Sequence, residues 1–334
     1  SKKTMKLKKD TVVIGLGKWG LNHVRILSNI NRLEGVFDLD KNKVNNISKI
    51  FSCNGYESLD DINNSKEIKN VFIITSASSH FSVLKKLNKK INFFIEKPIA
   101  ANSNELDELS NLLKENNLKI ASGHLLNYHP AISVIKDLIK DDYIGDVINI
   151  KSFRHNFGRF RVDEDVVSSF MPHDLSLIFN FFKNEKIIDK QLFKWRILSP
   201  IQDDEARLFL KFDNNKTAIV SNLWTNHKKR HELIITGNKG MIIFDDNEKN
   251  VNKKIKLLQF EFYSENNHSL PKISTEDYIN INSVDKPLNV EIDQSLKYFD
   301  GEIDFIVNSF EESYKILSFI FNLSKQNTNL RLVK

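Results

Sequence analysis

The sequence of 334 residues predicts two domains: an α/β domain built on a doubly wound parallel sheet, and an α+β domain with a large, mainly antiparallel open sheet. Up to about residue 123, short apolar runs alternate with longer amphipathic segments, which is typical of a parallel sheet covered by helices. After that point, strand-like segments follow one another through short turns, as in an antiparallel sheet. We therefore expect a flexible lead-in over residues 1–10, the first domain over residues 11–123 and the second over residues 124–334.

Five apolar runs are candidate strands of the first domain. Each is short and almost continuously apolar, as expected for strands that are covered on both faces. They are TVVIGLG, RLEGVFDLD, NVFIITS, INFFIEKP and LKIASGH. The amphipathic stretches between them predict helices over residues 19–30, 41–51, 80–89 and 104–115.

The second domain is predicted to begin with a helix over residues 130–140 and a long, half-exposed strand in GDVINIKSFRHNFG. In the following segment, SSFMPHDLSLIFNFF, Pro172 and Asp174 suit a first helical turn, so we expect a helix to begin there with His173 in it. Further strands are predicted in KQLFKWRIL, EARLFLKFD, KTAIVSNLWTN, RHELIITG and GMIIFDD. Residues 247–289 are expected to be loop-rich, and residues 294–323 to be helical.

The composition is ordinary for a globular protein, with 40% hydrophobic and 28% charged residues. The net charge of +6 comes from lysines scattered through every segment, so we expect no nucleic-acid partner. The single Cys53 excludes an intramolecular disulfide. No apolar run is long enough to span a bilayer, and SKKTMKLKKD lacks the apolar core of a signal peptide. We therefore expect a cytoplasmic protein with no membrane partner, and no residue spacing predicts a metal site.

The first candidate strand runs directly into a glycine-rich turn. VVIGLGKWG places Gly15, Gly17 and Gly20 in the G-x-G-x-x-G spacing of a Rossmann dinucleotide-binding domain, between a strand and a helix. Gly15 allows the tight turn, Gly17 lets the backbone approach a pyrophosphate, and Gly20 lets the helix pack close to the strand. The helix start offers free N–H groups to the phosphates. Alone, such a motif also serves packing.

The second candidate strand carries the acid that such a site requires. Asp38 follows Gly20 by 18 residues. This is close to the spacing of about 20 at which a carboxylate binds the adenosine ribose and repels a 2′-phosphate. NAD is therefore favoured over NADP as the cofactor. The alternative is that Asp38 and Asp40 cap the next helix, and this applies best to Asp40. The expected cofactor-binding residues are Gly15, Gly17, Lys18, Trp19, Gly20, Asp38, Thr75, Ser76, His80, Glu96 and Lys97.

The fourth candidate strand ends in Glu96, Lys97 and Pro98. Ligands of an open α/β sheet bind beyond the carboxyl ends of its strands, so a Lys at this end is expected to face the cofactor. Pro98 restricts the backbone of Lys97 and so the direction of its side chain. The alternative is a surface Lys in a turn.

Four motifs together resemble one known family. The glycine-rich turn, ITSASSH, EKP and the downstream PHD resemble the glucose-fructose oxidoreductase / inositol dehydrogenase (Gfo/Idh/MocA) family, over residues 11 to about 246. Within that family, the sequence most resembles members from nucleotide-sugar or surface-polysaccharide pathways. The resemblance implies an NAD(P)-dependent oxidoreductase that transfers hydride to or from a secondary hydroxyl of a sugar, with Lys97 and His173 as the catalytic residues. It also implies a second-domain sheet that forms the substrate floor and often the oligomer interface.

Two positions depart from that family. Many members have Asp or Asn where this chain has Ser169, and a Pro is common where it has Ser76. A hydroxyl cannot act as a base at neutral pH. Two alternatives therefore stay open: a non-catalytic NAD-binding sensor or regulatory protein, and an enzyme with tightly bound, recycled NAD that performs epimerisation, transhydrogenation or elimination.

The substrate is expected to be a sugar derivative that is anionic or nucleotide-linked. Guanidinium groups bind carboxylates and phosphates, and Arg154 shares a strand face with Asn156. An equal alternative is that Arg154 and Arg159 form ion pairs with Asp163, Glu164 and Asp165. For Trp224 the alternative is a place in the core, where a Trp is more often found. The expected substrate contacts are Arg154, Asn156, Arg159, Ser169, His173, Tyr128 and Trp224. An open sheet also predicts a homodimer or homotetramer.

Overall fold

The computed structural model describes residues 9–87, 90–116, 118–158, 160, 164–265, 268–283 and 285–326. The lead-in over residues 1–8 and the predicted substrate contact Arg159 lie outside these residues. The chain divides into two compact units. Unit 1 comprises Ser1–Leu125 and Lys286–Phe321, and unit 2 comprises Leu126–Asp285 and Asn322–Lys334.

Unit 1 is built on a six-stranded sheet in which every pairing is parallel. Its strands are β1 (Thr11–Ile14), β2 (Leu33–Phe37), β3 (Asn54–Gly55), β4 (Asn70–Ile73), β5 (Asn92–Ile95) and β6 (Ile120–Ser122). Their order in the sheet is β3-β2-β1-β4-β5-β6. The intervening helices are α1 (Lys18–Asn29), α2 (Lys41–Phe51), α3 (Leu59–Asn64), α4 (His80–Lys86) and α5 (Ser103–Asn116). The predicted doubly wound parallel sheet is confirmed.

The strands of unit 1 are apolar on both faces because each face packs against its own core. Val12 and Ile14 pack into one cluster of buried side chains, and Val13 between them packs into the other. Phe72 and Phe94 of neighbouring strands stack with their ring centroids 4.7 Å apart in the second cluster. A sheet covered on both faces explains why these strands show no polar alternation.

Unit 2 contains an eight-stranded sheet that is antiparallel except where β10 pairs with β7. In chain order it consists of α6 (Pro130–Lys140), β7 (Val147–Phe157), α7 (Val166–Phe181), β8 (Ile187–Trp195), β9 (Glu205–Phe212), β10 (Thr217–Leu223), β11 (Thr225–Gly237), β12 (Gly240–Asp245), β13 (Ile255–Glu265) and β14 (His268–Ile279). The sheet order is β14-β13-β12-β11-β7-β10-β9-β8, and α7 packs against β7, β9 and β10. The predicted second fold class is also confirmed.

Helix α7 begins earlier than predicted. The N-cap of α7 is Asp165, whose carboxylate accepts a hydrogen bond of 2.8 Å from the backbone N–H of Ser168. In return, the backbone N–H of Asp165 donates a hydrogen bond to the hydroxyl of Ser168. This capping box starts the helix at Val166, so Pro172 lies inside it. The prediction that the helix begins at Pro172 was therefore wrong.

Residues 247–289 were wrongly predicted to be loop-rich, since most of them form β13 and β14. The end of the chain also differs from the prediction of one helix, because it forms α8 (Pro287–Asp300) and α9 (Phe310–Gln326). Residues 286–321 belong to unit 1. The expected boundaries had placed them in the second domain. The physical reason is the apolar face of α8, whose Leu288, Ile292 and Leu296 pack into a core of unit 1.

Asp10 is part of the folded unit and not of a flexible lead-in. Its carboxylate is buried and accepts hydrogen bonds of 2.9 and 3.1 Å from Arg32. Arg32 also donates a bond of 2.7 Å to Asp300 at the end of α8. A buried guanidinium held between two carboxylates fixes the start of β1 and the end of α8 within unit 1. Within the described ranges, no helix has the length and apolar character needed to cross a membrane.

Candidate active site

Two of the three glycines of the motif after β1 leave no room for a side chain. Gly15 has a φ of +98°, which an L side chain rarely adopts, and a Cβ there would lie 2.6 Å from the carbonyl oxygen of Ile74. A Cβ on Gly20 would lie 1.9 Å from the carbonyl oxygen of Gly15. The first and third glycines therefore serve the tight turn and the close approach of α1, as predicted.

Gly17 differs from its two neighbours in the motif because a Cβ there would meet no atom within 4 Å. It lines a cavity of about 980 Å³ at the carboxyl ends of β1, β2 and β4. Gly17 is the N-cap of α1, and no side chain caps this helix, so its first N–H groups have no side-chain partner at that position. Open space, a bare backbone and a helix N-terminus together suit a phosphate group. Lys18 and Trp19 lie exposed in the first turn of α1.

Asp38 lies at the edge of the same cavity, held by two backbone groups. Its carboxylate accepts hydrogen bonds of 2.7 Å from the N–H of Leu16 and 2.9 Å from the N–H of Asp40. Asp40 caps α2, which was the interpretation preferred for it. Glu57 and Asp60 also line the cavity, as do Lys43 and Lys86. The carboxylate of Asp38 is thus pre-oriented at the end of β2, where a ribose would bind.

The turn after β4 adds hydroxyl groups to the cavity. Thr75 and Ser76 line it, and the hydroxyl of Ser79 donates a hydrogen bond of 2.8 Å to that of Thr75. His80 begins α4, as predicted, but its side chain is buried. Its two ring nitrogens lie 2.9 Å from the carbonyl oxygen of Pro98 and 3.1 Å from that of Thr75. We therefore assign His80 a supporting place behind the cavity and not the direct cofactor contact that we expected.

Glu96 joins the first turn of α1 to the end of β5. Its carboxylate accepts a hydrogen bond of 2.5 Å from the indole N–H of Trp19 and one of 3.2 Å from the backbone N–H of Lys97. A Cβ on Gly123 would lie 2.5 Å from this carboxylate, so a side chain at that position would require Glu96 to shift. The peptide bond between Lys97 and Pro98 is cis. Glu96 therefore links the first turn of α1 to the backbone of Lys97.

The interior behind Lys97 holds several titratable groups. Burial raises the pKa of Glu96, and burial together with Glu96 raises that of the fully buried Glu291 on α8 well above its usual range. Burial lowers the pKa of His23 to about 4, and burial together with the Lys97 charge lowers that of His124 to about 4. Both imidazoles are consequently neutral at pH 7. Sequence reasoning missed Glu291 and His23, because neither lies in a recognisable motif.

In unit 2, two of the predicted site residues, Ser169 and His173, lie on α7. Ser169 is buried and His173 is half-buried, and their spacing of four residues places them on one face of the helix. The hydroxyl of Ser176 donates a bond of 2.8 Å to the carbonyl of His173. Ser169 and His173 therefore share one face of α7, within the helix and not at its start.

Asp174, one residue further on, is a buried polar centre that sequence reasoning missed. Its carboxylate accepts hydrogen bonds of 2.6 Å from the hydroxyl of Ser152 and 2.7 Å from the amide of Asn222. The guanidinium of Arg154 lies 3.3 Å from it. We expected Asp174 only to support a helix start. It instead connects α7 to β7 and β10.

Arg154 has a partner that the sequence did not suggest. We considered a substrate anion or the acids at 163–165, but the structure pairs Arg154 with Asp174. Asn156 follows it on the same face of β7. Trp224 is buried and packs near the rings of Phe160 and Phe170, which favours the alternative that it is a core residue. Tyr128 is half-buried at the end of the short helical turn over Leu125–Tyr128.

The family model described as "Oxidoreductase family, NAD-binding Rossmann fold" (GFO_IDH_MocA) matches residues 9–124. This range contains the glycine turn, Asp38 and the Glu96–Lys97 pair. Residues 9–124 therefore match the Gfo/Idh/MocA family model, and we call them the Gfo/Idh/MocA region.

Similarity to curated proteins extends over half of the chain or less. A UDP-N-acetylglucosamine 3-dehydrogenase of Acidithiobacillus ferrooxidans is 30% identical over 169 residues, which cover 50% of this chain and 52% of that protein. A 2,7-anhydro-N-acetylneuraminate hydratase of Mediterraneibacter gnavus is 27% identical over 146 residues, 43% of this chain and 39% of that protein. The chain thus spans about half the length, or less, of these curated relatives.

The solved structure of the same A. ferrooxidans UDP-N-acetylglucosamine 3-dehydrogenase resembles this chain over most of its length. The TM-score is 0.78 with 21% sequence identity, over 95% of this chain and 96% of that one. At this identity the likeness shows a shared fold only. The folds of both units therefore have a precedent among solved structures.

The cavity of the Gfo/Idh/MocA region fits a dinucleotide by its own geometry. Gly17 leaves room for a pyrophosphate, α1 directs its N-terminus at that room, and Asp38 presents a fixed carboxylate beyond it. Among the described residues, no group of three or more His, Cys, Asp or Glu side chains is arranged to hold a metal ion.

Proposed function

We propose that this protein is an NAD-dependent oxidoreductase that transfers hydride to or from a secondary hydroxyl of a sugar or sugar derivative. The observation that supports the proposal most directly is the cavity of unit 1, which is lined by Gly17 and Asp38 and is open beside Gly17. Lys97 at the end of β5 also supports the proposal. Its backbone N–H donates a hydrogen bond to the carboxylate of Glu96.

NAD is proposed over NADP on electrostatic grounds. A 2′-phosphate would approach the carboxylate of Asp38, and Glu57 and Asp60 line the same cavity. Two lysines, Lys43 and Lys86, also line it, and Lys43 lies 4.0 Å from the carboxylate of Asp40. A phosphate beside a fixed carboxylate is disfavoured by like-charge repulsion, whereas ribose hydroxyls can donate hydrogen bonds to that carboxylate.

We propose that Lys97 and His173 act at the reacting carbon. When bound, NAD supplies the hydride acceptor. The imidazole of His173 takes the proton of the substrate hydroxyl, since histidine exchanges protons near neutral pH. The ammonium of Lys97 donates a hydrogen bond to the same oxygen and stabilises its developing negative charge. In the opposite direction, for which bound reduced NAD would supply the hydride, the imidazolium returns the proton to the same oxygen.

The substrate is proposed to be a nucleotide-linked sugar. The support is the curated relative named a UDP-N-acetylglucosamine 3-dehydrogenase, which is 30% identical over half of this chain. The same support makes UDP-N-acetylglucosamine the first compound to test. Arg154, Asn156, Ser169 and Tyr128 are the proposed substrate contacts of unit 2, together with His173.

The test measures formation of reduced nicotinamide by absorbance with NAD and UDP-N-acetylglucosamine, and with NADP as the comparison cofactor. His173→Ala should lower kcat by about 10²–10⁴-fold, the usual contribution of an acid/base group. Lys97→Met should lower kcat by about 10²–10³-fold, as for the loss of one donor that stabilises a developing negative charge. Lys85→Met and His227→Gln, both at exposed positions, are the matched controls and should retain full turnover. Unchanged kcat in the Lys97 or His173 variant would remove the role proposed for that residue.

A second candidate is an enzyme that reduces and reoxidises one tightly held NAD within each cycle, with no net redox change. The relative named a hydratase favours it. Ultraviolet absorption of NAD in the purified protein, persisting through dialysis, together with turnover of a sugar without net formation of reduced cofactor, would support this candidate. A readily exchangeable cofactor would exclude it.

A further inference from the structure

The charge of Arg154 is already balanced inside unit 2. Asp174, which is fully buried, lies 3.3 Å from both Nε and one terminal nitrogen of the guanidinium. A carboxylate in this position is also fixed in orientation, because Ser152 donates to one of its oxygens and Asn222 to the other. A pair so close and so shielded from water compensates most of the Arg154 charge before any ligand arrives.

The other charges around Arg154 are paired in the same way. Arg154 and Ser152 line a small cavity with Glu232, Asp246 and His231. Glu232 accepts a hydrogen bond from Arg230, and the carboxylate of Asp246 lies 3.6 Å from Lys254. Each charged side chain that lines this cavity thus has an opposite charge beside it.

His231 adds no charge of its own. Burial and the nearby Arg154 lower its pKa to about 3, so its imidazole is neutral at pH 7. Its ring packs edge-on against Phe170 of α7. The cavity beside Arg154 is therefore polar but close to electrically neutral.

We propose that Asp174 is a specificity-determining positioning residue, which holds Arg154 so that its subsite takes a neutral oxygen of the sugar, a hydroxyl or a carbonyl, and discriminates against a carboxylate. This inference rests on the proposed sugar oxidoreductase activity. It replaces the expectation that Arg154 selects an anionic sugar. The guanidinium of Arg154 is already paired with the carboxylate of Asp174. A substrate carboxylate would therefore be a second negative charge beside it, and would lose its own hydration on binding.

The experiment compares two probes that differ in one group: UDP-N-acetylglucosamine, with a hydroxymethyl group, and UDP-N-acetylglucosaminuronic acid, with a carboxylate in its place. The measured quantity is the ratio of their kcat/KM values with NAD. In the wild-type protein the ratio should favour the neutral sugar. Asp174→Asn keeps the shape of the side chain and leaves Arg154 uncompensated, so the ratio should move toward the carboxylate sugar by about tenfold or more, as expected for a charge-assisted bond.

Asp165→Asn is the matched control, because it changes an acid on the same helix to another good N-cap residue without touching Arg154. Its ratio should equal that of the wild type. A general loss of stability would lower turnover of both sugars equally and leave the ratio unchanged, so the ratio separates positioning from folding. If Asp174→Asn does not fold, Arg154→Gln serves instead, and discrimination against the carboxylate sugar should then increase because Asp174 remains.

A wild-type preference for the carboxylate sugar, or a ratio that neither variant moves, would overturn the proposal. If no sugar is turned over, dissociation constants of the two probes, measured calorimetrically with NAD present, give the same ratio. Binding with the expected preference but without turnover would count against the proposed activity and would leave the assignment of Asp174 standing. Equal binding of both probes by the wild type and by Asp174→Asn would overturn it.

Discussion

The candidate sites of the two units are built in different ways. In unit 1, the site consists largely of backbone: a glycine turn, a helix N-terminus and the carboxyl ends of neighbouring parallel strands. In unit 2, it consists of side chains from separate elements, with Asp174 of α7 bonded to Ser152 of β7 and Asn222 of β10. A site of the first kind is encoded in a short stretch of sequence. A site of the second kind exists only after the strands have paired in register.

Two glycines of unit 1 test the backbone character of its site with the largest expected effect. Gly20→Ala places a Cβ 1.9 Å from the carbonyl oxygen of Gly15, so the turn must shift. We expect the free energy of unfolding to fall by about 3 kcal/mol, the upper range for overpacking. Denaturant unfolding measures this change, and NAD affinity should fall with it.

Gly17→Ala is the matched comparison, because its Cβ would enter open space. Stability should stay within about 0.5 kcal/mol of the wild type, as for ordinary surface substitutions. NAD affinity should nevertheless fall, because the methyl group occupies the room proposed for the pyrophosphate. Equal stability losses in the two variants would contradict the assignment of Gly20 to close packing and of Gly17 to the room for the pyrophosphate.

The buried histidines of unit 1 give a smaller, pH-dependent effect. His124 is held neutral, with a pKa lowered by burial to about 4, while the unfolded chain binds a proton below about pH 6.5. The unfolded state therefore binds more protons between these values, and stability is lost as the pH falls from about 6.5 to about 4. One such group contributes a slope of about 1.4 kcal/mol per pH unit.

Unfolding free energies measured across this pH range check the effect. In His124→Gln the slope should decrease by the contribution of one histidine, and His227→Gln, at an exposed position of unit 2, should leave it unchanged. An identical slope in the wild type and the His124 variant would show that His124 accepts a proton inside the folded protein. Burial would then not hold His124 neutral in the interior of unit 1.

The smallest expected effect concerns the open sheet of unit 2. Phe193, Trp195 and Phe209 form an exposed aromatic patch on β8 and β9, with ring centroids 6.1 and 6.2 Å apart. Exposed aromatic patches of this kind favour association, so we predict a dimer or tetramer. Light scattering should give a mass above one chain, and the double substitution of Trp195 and Phe209 by Ser should shift it toward one chain. Tyr143→Ser, at another exposed aromatic position, should not, and a wild-type mass of one chain would defeat the prediction.

The same contrast explains what the sequence could predict. The turn at Gly15 and the acid at Asp38 were found because a short apolar strand precedes each of them and their spacing is fixed by one strand–helix–strand unit. Arg154 and Asp174 were not recognised as a pair, because their contact depends on how α7 lies on the sheet. The strand β14 was missed because its side chains are almost all exposed, so no apolar alternation marks it.

The start of α7 was misplaced for a different reason. Pro172 is a residue typical of a first helical turn, and it outweighed the Asp165 and Ser168 pair that lies upstream. The capping box supplies two hydrogen bonds to the free end of the helix, whereas a proline supplies none. A stronger cap therefore prevails over a proline that the helix can accommodate.

The early start of α7 has an electrostatic consequence for His173. A helix beginning at Pro172 would place the partial positive charge of its N-terminus beside the imidazole and weaken it as a base. Because α7 begins at Val166, His173 lies about two turns from that end, and the field of the helix terminus falls off within the first turn. The capping box at Asp165 thus moves the positive pole away from the residue proposed to accept a proton.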